Sequence, residues 1–241
     1  MQARYSAVER LDGGAVANQE HGDLAGARLG GLWHTARSSW GLSLQQLQGK
    51  VAYAGRTQLG LPIRSSSQID LQELLLEAGH PVLAAGPWRV GARAALGQRR
   101  IHRSIAPTLL STPLTETLAW RHAQLGLQAD WQAGGGWFAN ADLRLEQGLA
   151  ARLAVDFHGL ADPAWVQPGH AGLGHSLGLG VGRAWPNGLS LQLQYSQARQ
   201  PYGASPWVLQ RRGGLAVGQL RYPGSSQGLD ALAFSLNWRL P

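Results

Sequence analysis

The stretch "GLGHSLGLGVGRAWPNGLSLQLQYSQ", residues 172–197, decides how the chain is read. Within it, residues 174–178 spell "GHSLG", which fits the G-x-S-x-G turn that presents a nucleophilic serine between a strand and a helix. That turn needs a helix leaving it and a carboxylate and a histidine later in the chain. All eight histidines lie at or before His175, and Asp230 is the sole carboxylate after Ser176. Beyond the pentapeptide the chain alternates Leu or Val with Gly and then turns, a pattern no helix makes. Leu173, Leu177, Leu179 and Val181 fall on one face, and Gly172, Gly174, Ser176, Gly178, Gly180 and Gly182 on the other. After "WPNG", Leu189, Leu191, Leu193 and Tyr195 oppose Ser190, Gln192, Gln194 and Ser196. Period two on both sides of Asn-Gly is a β-hairpin. The serine motif is a coincidence of composition.

The same alternation recurs along the chain. It predicts about ten strands, at 2–10, 24–36, 40–54, 68–79, 87–101, 114–130, 136–147, 172–185, 189–199 and 229–240. Two segments admit a second reading. "SSSQIDLQELLLEAG" has a helical alternative, with Leu71, Leu74 and Leu75 on one side and Gly79 as a stop. "LRLEQGLAARLAVDF" admits an extra hairpin turning at Gln147-Gly148, which would raise the count toward twelve. The connections at 37–39, 80–86, 131–135 and 186–188 are short, and those at 11–23, 55–67, 102–113, 148–171 and 200–228 are long. Strict alternation of short and long connections is the layout of an up-and-down antiparallel transmembrane β-barrel, here a single domain over residues 1–241.

Tryptophan gives an independent sign. Trp33, Trp40, Trp88, Trp131, Trp137, Trp185 and Trp238 all fall beside the short connections or the chain end. An indole is apolar in body with one N–H to hydrate, so it settles at a membrane–water boundary. Composition agrees: 33 glycines and ten tryptophans accompany only 15% charged residues, and no cysteine is present to build disulfides or thiolate metal sites. No apolar run approaches the roughly 18 residues a membrane helix requires. "MQARYSAVER" has no apolar core of a signal peptide, so the expectation is a cytosolic chain or a mature form with its signal removed. The net charge of +7 comes from 20 arginines and Lys50, scattered rather than striped, which speaks against a nucleic-acid partner.

This layout resembles the small outer-membrane β-barrels of Gram-negative bacteria. The last strand, "LDALAFSLNWRLP", is similar to their C-terminal assembly signal, but ends in Leu240-Pro241 with its aromatic at Trp238. The resemblance implies insertion in the outer membrane and a cleaved secretion signal, and no particular activity.

If the apolar faces meet lipid, the opposite faces line a lumen carrying Arg28, Glu73, Glu77, Arg89, Arg93, Asp142, Arg144 and Glu146. Eight to ten strands leave little bore, so these residues read as an ion-paired plug, with a narrow ion-selective pore as the other reading. Glu73 and Glu77 are expected to face Arg89 and Arg93 across the 80–86 turn, and the glycine face of 172–182 to leave room for Asp142, Arg144 and Glu146. The expected function is a monomeric structural or narrow-pore barrel without cofactor, metal or catalysis. Its alternatives are an anchor for an envelope partner through the long loops at 148–171 and 200–228, and a hydrolase using Asp156, His158, His175 and Ser176 at the outer rim. His170 and His175, with no carboxylate beside them, make no metal site. Arginines of "QRRIHR" (98–103) and "QRRGG" (210–214) are expected in outer segments, within reach of lipopolysaccharide phosphates.

Overall fold

A computed structural model describes residues 1–35, 37–56, 60–169 and 172–239. Ten strands form the wall: β1 (Gln2–Arg10), β2 (Val16–His34), β3 (Ser39–Arg56), β4 (Pro62–Ala85), β5 (Trp88–Ile105), β6 (Leu114–Gln132), β7 (Trp137–Asp156), β9 (Gly174–Ala184), β10 (Leu189–Tyr202) and β13 (Gly224–Trp238). Each pairs antiparallel with the next, and β1 with β13 closes the ring. The short β8 (Ala164–Val166) pairs with β7 above the start of β9. β11 (Val208–Arg212) and β12 (Leu215–Leu220) form a separate hairpin in the last outer connection. The barrel is therefore the ten-strand one that the alternation predicts, and the three further strands, β8, β11 and β12, stand in its outer connections.

Local chemistry explains the turns. At "WPNG", Pro186 starts the turn, Gly188 takes φ +83°, and the Trp185 N–H donates to the Leu189 carbonyl at 2.8 Å. A three-residue hairpin loop ending in a left-handed glycine has this form. β9 runs straight through "GHSLG" as strand, so no serine-bearing turn forms there. Gln147-Gly148 is not a turn either. The β6–β7 register steps from Arg121↔Ala150 to His122↔Gly148, leaving Leu149 as the extra residue of a β-bulge.

The outer connections correct the expected loop lengths. The first two are only residues 11–15 and 57–61, because β2 and β4 extend well beyond their predicted ends. Residues 57–59, His170, Ala171 and the terminal Leu240-Pro241 lie outside the described residues, as does Ala36 at the predicted end of β2.

The added strand length has a physical signature. In β4, Leu74 and Leu76 point out and are exposed, whereas Ile69 and Leu71 point in and are buried. The apolar face changes sides within "LQELLLEAG", and that crossing gave the segment its helix-like spacing. β3 crosses likewise, from outward Leu42 and Leu44 to inward Leu47 and Val51, and β6 from outward Leu125 and Leu127 to inward Leu118 and Trp120. The barrel therefore has two storeys. Near the short turns it is apolar outside and polar inside. Toward the outer connections it is polar outside, with a core of Tyr5, Leu24, Leu47, Val51, Ile69, Leu71, Ile101, Leu118, Trp120, Leu153, Val155 and Tyr202.

β1 belongs to the upper storey. It pairs with β13 only from Leu232 upward and with β2 only as far down as Ala25, where the Gly26 N–H reaches the Met1 carbonyl at 3.1 Å. Below that level, among the described residues, Ala27–His34 of β2 and Ala233–Trp238 of β13 have no strand on their facing edges.

Candidate functional site: an outward apolar band and a layered lumen

The outward side chains define two boundaries. At the lower rim stand the seven tryptophans singled out from sequence, six of them exposed and Trp131 half-buried against Trp88. Trp33 and Trp40 are register partners, as are Trp88 and Trp131, whose rings lie 6.5 Å apart. Arg183 lies over both Trp137 and Trp185. The other three serve elsewhere: Trp120 in the upper core, Trp165 and Trp207 in the outer connections.

Above the rim, where His80 of β4 and Arg183 of β9 also point outward, the first polar outward residue is Asp23 on β2, Gln46 on β3, Gln72 on β4, Gln98 on β5, Arg121 on β6, Gln147 on β7, His175 on β9, Gln197 on β10 and Asp230 on β13. Five of these are glutamines, and together they form a collar. On β2, β5, β6 and β7 the collar residue stands ten positions from the rim tryptophan. Ten residues at about 3.4 Å each span roughly 34 Å along the strand. At a tilt of about 40° this becomes roughly 26 Å, the height of the apolar band of a transmembrane barrel. Between rim and collar the outward residues are almost all Leu, Val, Ala, Phe or Tyr, with Leu29, Leu42, Leu44, Leu96, Leu125, Leu143, Leu179, Leu193 and Phe234 exposed. A continuous apolar belt of this size is a lipid-facing surface.

All eight residues read from sequence as luminal point inward. At the lower mouth, Arg89, Arg93, Asp130, His34 and Arg239 line a vestibule of about 470 Å³. Arg28, farther up β2, donates to Ser43 Oγ at 2.9 Å. Above the vestibule Glu77 takes two cations, Arg93 and, at 2.6 Å, Arg144. Arg144 also reaches Asp142 at 3.2 Å. The glycine face of β9 makes room here, since a Cβ on Gly178 would collide with Asp142 Oδ1. Glu73 does not meet Arg89. The register sets it opposite Arg99, whose Nε donates to it at 2.9 Å, while Arg89 faces Asp130 across β6. The expected pairing placed the β4–β5 turn too early, and each residue of register matters when partners must sit opposite.

At collar height Arg99 also approaches Glu146 at 3.6 Å, and Gln124 donates to Glu146 at 2.9 Å. The His122 ring is enclosed between Glu73, 3.4 Å from Nε2, and Glu146, 4.0 Å from Nδ1. Within the upper storey, Arg103 donates to Glu9 at 3.0 Å, to Glu20 at 3.1 Å and to Glu116. Asn18 and Ser67 donate to Glu9 and Glu20. Burial among these groups pushes the Glu9 carboxyl above the ordinary glutamate range, against the pull of Arg103.

Sequence reading missed Glu9, Glu20, Arg99, Arg103, Glu116 and His122 as inward groups. "QRRIHR" lies inside β5 rather than in an outer segment, so Arg99 and Arg103 turn inward and only Arg100 of its arginines faces out. The signal was available, because Arg93, Ala95, Gly97, Arg99 and Ile101 share one parity. "QRRGG" does stand in an outer connection, at the β11–β12 turn.

The rim residues considered for hydrolysis are partly assembled. The His158 N–H donates to Asp156 Oδ1 at 2.8 Å, and His158 Nε2 meets Thr115 Oγ1 at 2.8 Å. His158 itself takes φ +51°. Ser176 is elsewhere: it points inward opposite Arg144, twelve residues down β7 from Asp156, and His175 points outward.

No protein-family model matches the chain, and no curated protein matches it. Among solved structures it is similar to the outer membrane protease OmpT from Escherichia coli, with a TM-score of 0.68 at 8% identity, over 98% of this chain and 91% of that one. It also matches the beta domain of the Bordetella autotransporter BrkA at a TM-score of 0.30 and 13% identity, over 95% of this chain and 96% of that one, too loosely to carry an argument. At such identities the likeness is one of fold: a closed antiparallel barrel of the outer-membrane kind.

Proposed function

We propose that the protein is an integral barrel of the Gram-negative outer membrane with a structural role, its lumen closed to through-flow. The observation that carries this reading is the upper core. Leu24, Leu47, Val51 and Ile69 are at most 1% exposed, and Tyr5, Trp120 and Tyr202 fill the bore above the ion-paired layers. Trp120 and Tyr202 meet edge to face with ring centres 5.1 Å apart. Solutes entering the lower vestibule meet first the Glu77–Arg93–Arg144 group and then a largely apolar plug. The belt between tryptophan rim and glutamine collar supports membrane insertion, with the outer connections facing away from the periplasm.

The test is reconstitution in planar bilayers, with folding checked by heat-modifiable gel migration. Folded protein should insert and give no steady conductance. An ohmic conductance from wild-type protein would replace this reading with that of a pore. Turnover of lipid or peptide that disappears in His158→Ala would replace it with that of a hydrolase.

A second reading, an anchor for an envelope partner, has one observation in its favour. The β11–β12 hairpin pairs with no strand of the wall, and beyond Val208 and Leu220, which pack on the upper core, it leaves Leu209, Leu215 and Val217 exposed. Replacing Leu209, Leu215 and Val217 by serine should then remove a co-purifying protein from native membranes and leave folding intact.

A further inference from the structure

Just above the apolar belt, the outward faces of β5, β6 and β7 carry Arg100, Arg121 and Arg152. Arg100 and Arg152 flank Ala119 in register from either side, and Arg121 lies one outward position below, opposite Gln98 and Ala150. With strands about 4.8 Å apart, the three guanidinium stems rise from a patch roughly 10 Å across. None of the three has a carboxylate within ion-pair distance among the described residues. The far side of the barrel differs at the same height: Arg199 pairs with Asp230 at 2.9 Å, and Arg4 lies 4.0 Å from Asp23. Three arginines without a carboxylate partner thus stand together on one face.

That face is also shaped. β8 lays Trp165 beside β7, and the Arg152 guanidinium sits 3.7 Å from the indole ring centre. Stacking on an aromatic face holds the guanidinium flat and leaves its N–H edge free for an anion. Arg121, Arg152, Gln98, Trp165 and Gln167 line a groove of about 500 Å³. Directly below, on the same strands, Leu96, Leu125 and Leu145 are exposed toward lipid.

We propose that this groove binds the phosphate groups of a lipopolysaccharide molecule whose acyl chains lie along Leu96, Leu125 and Leu145. The inference rests on the membrane reading above and adds a ligand and a place to it. Guanidinium pairs phosphate through two parallel N–H···O bonds, and three such groups at headgroup height suit a lipid carrying more than one phosphate. The adjoining apolar surface selects a lipid-borne phosphate over a free one.

Wild-type protein, folded in a neutral detergent, is titrated with bisphosphorylated lipid A, with its dephosphorylated form and with inorganic phosphate. Bound lipid is read by native mass spectrometry. The variant is Arg100→Gln/Arg121→Gln/Arg152→Gln, with Arg4→Gln/Arg10→Gln/Arg199→Gln on the far side as the charge-matched control. The triple variant should lose at least about tenfold in affinity for bisphosphorylated lipid A, which is less than the loss of one charge-assisted hydrogen bond already brings. The control should bind as wild type, and dephosphorylated lipid A should bind wild type as weakly as the intact lipid binds the triple variant. Unchanged binding by the triple variant, equal loss in the control, or displacement by millimolar inorganic phosphate overturns the proposal. Insertion into neutral-lipid vesicles is measured on the same samples. Protein that inserts but fails these comparisons overturns the lipid site alone, whereas protein that does not insert overturns the membrane reading with it.

Discussion

Replacing Arg103 by Met should destabilise the barrel in a way that depends steeply on pH. Arg103 has a 9% exposed side chain and neutralises Glu9, Glu20 and Glu116, which are 6%, 0% and 13% exposed. Met fills most of the volume, so the change removes charge more than packing. Taking one partner from a buried ionic group costs about 3–5 kcal/mol. The cost has a ceiling, because a stranded glutamate escapes by taking a proton. From an ordinary pKa near 4.3, protonation at pH 7 costs about 4 kcal/mol, and at pH 5 only about 1 kcal/mol, for each carboxyl. With a urea slope of about 3 kcal/mol per molar, the midpoint should fall by about 1–2 M at pH 7. At pH 5 most of that loss should vanish. The assay is urea unfolding in lipid vesicles at both pH values, followed by circular dichroism and heat-modifiable migration. A midpoint within about 0.3 M of wild type at pH 7 would show that the three carboxylates are hydrated. An equal loss at both pH values would show that Arg103 acts by packing.

On the lipid-facing belt, Leu143→Arg should cost about 2–4 kcal/mol in vesicles and Gln72→Arg, at the collar, at most about 1, by the same urea titration. Glu9 behaves oppositely to a well-paired carboxylate. Its folded-state pKa is raised, so the stability it contributes is present below its unfolded pKa and is lost as pH rises through the folded value. Glu9→Gln should therefore raise the urea midpoint at neutral pH and leave it unchanged below about pH 4. Gly178→Val should push Asp142 off Arg144, because a Cβ there would overlap the Asp142 carboxylate. The loss, about 1–3 kcal/mol, should be smaller when combined with Asp142→Ala.

Residues between rim and collar were legible because one rule governs them: apolar outward, small or polar inward, tryptophan at one edge. Leu189–Tyr195 and Leu232–Trp238 follow that rule without exception, and so do the eight luminal residues. Above the collar the rule inverts. In β2, the run Gln19 to Asp23 alternates polar outward residues with Glu20 and Gly22 inside, which reads as a loop to any scale tuned to hydrophobicity. The missed ionic groups fail for a related reason. Glu9, Glu20, Arg103 and Glu116 come from four strands and meet only after closure of the ring, Arg103 and its partner Glu9 standing 94 residues apart in sequence. Parity gives a residue's side of the wall. Its partner is set by register, and register depends on turn length and on bulges such as the one at Leu149.

The inversion of faces at the collar fixes how deep the barrel sits in its bilayer. A displacement inward by one pair of residues would draw Gln46, Gln72, Gln98, Gln147 and Gln197 into hydrocarbon, where a polar side chain loses its water. A displacement outward would carry the exposed Leu44, Leu74, Leu96 and Leu145 into the aqueous layer. Both movements cost free energy, so the cylinder floats at one draught, with its upper storey held clear of the acyl chains.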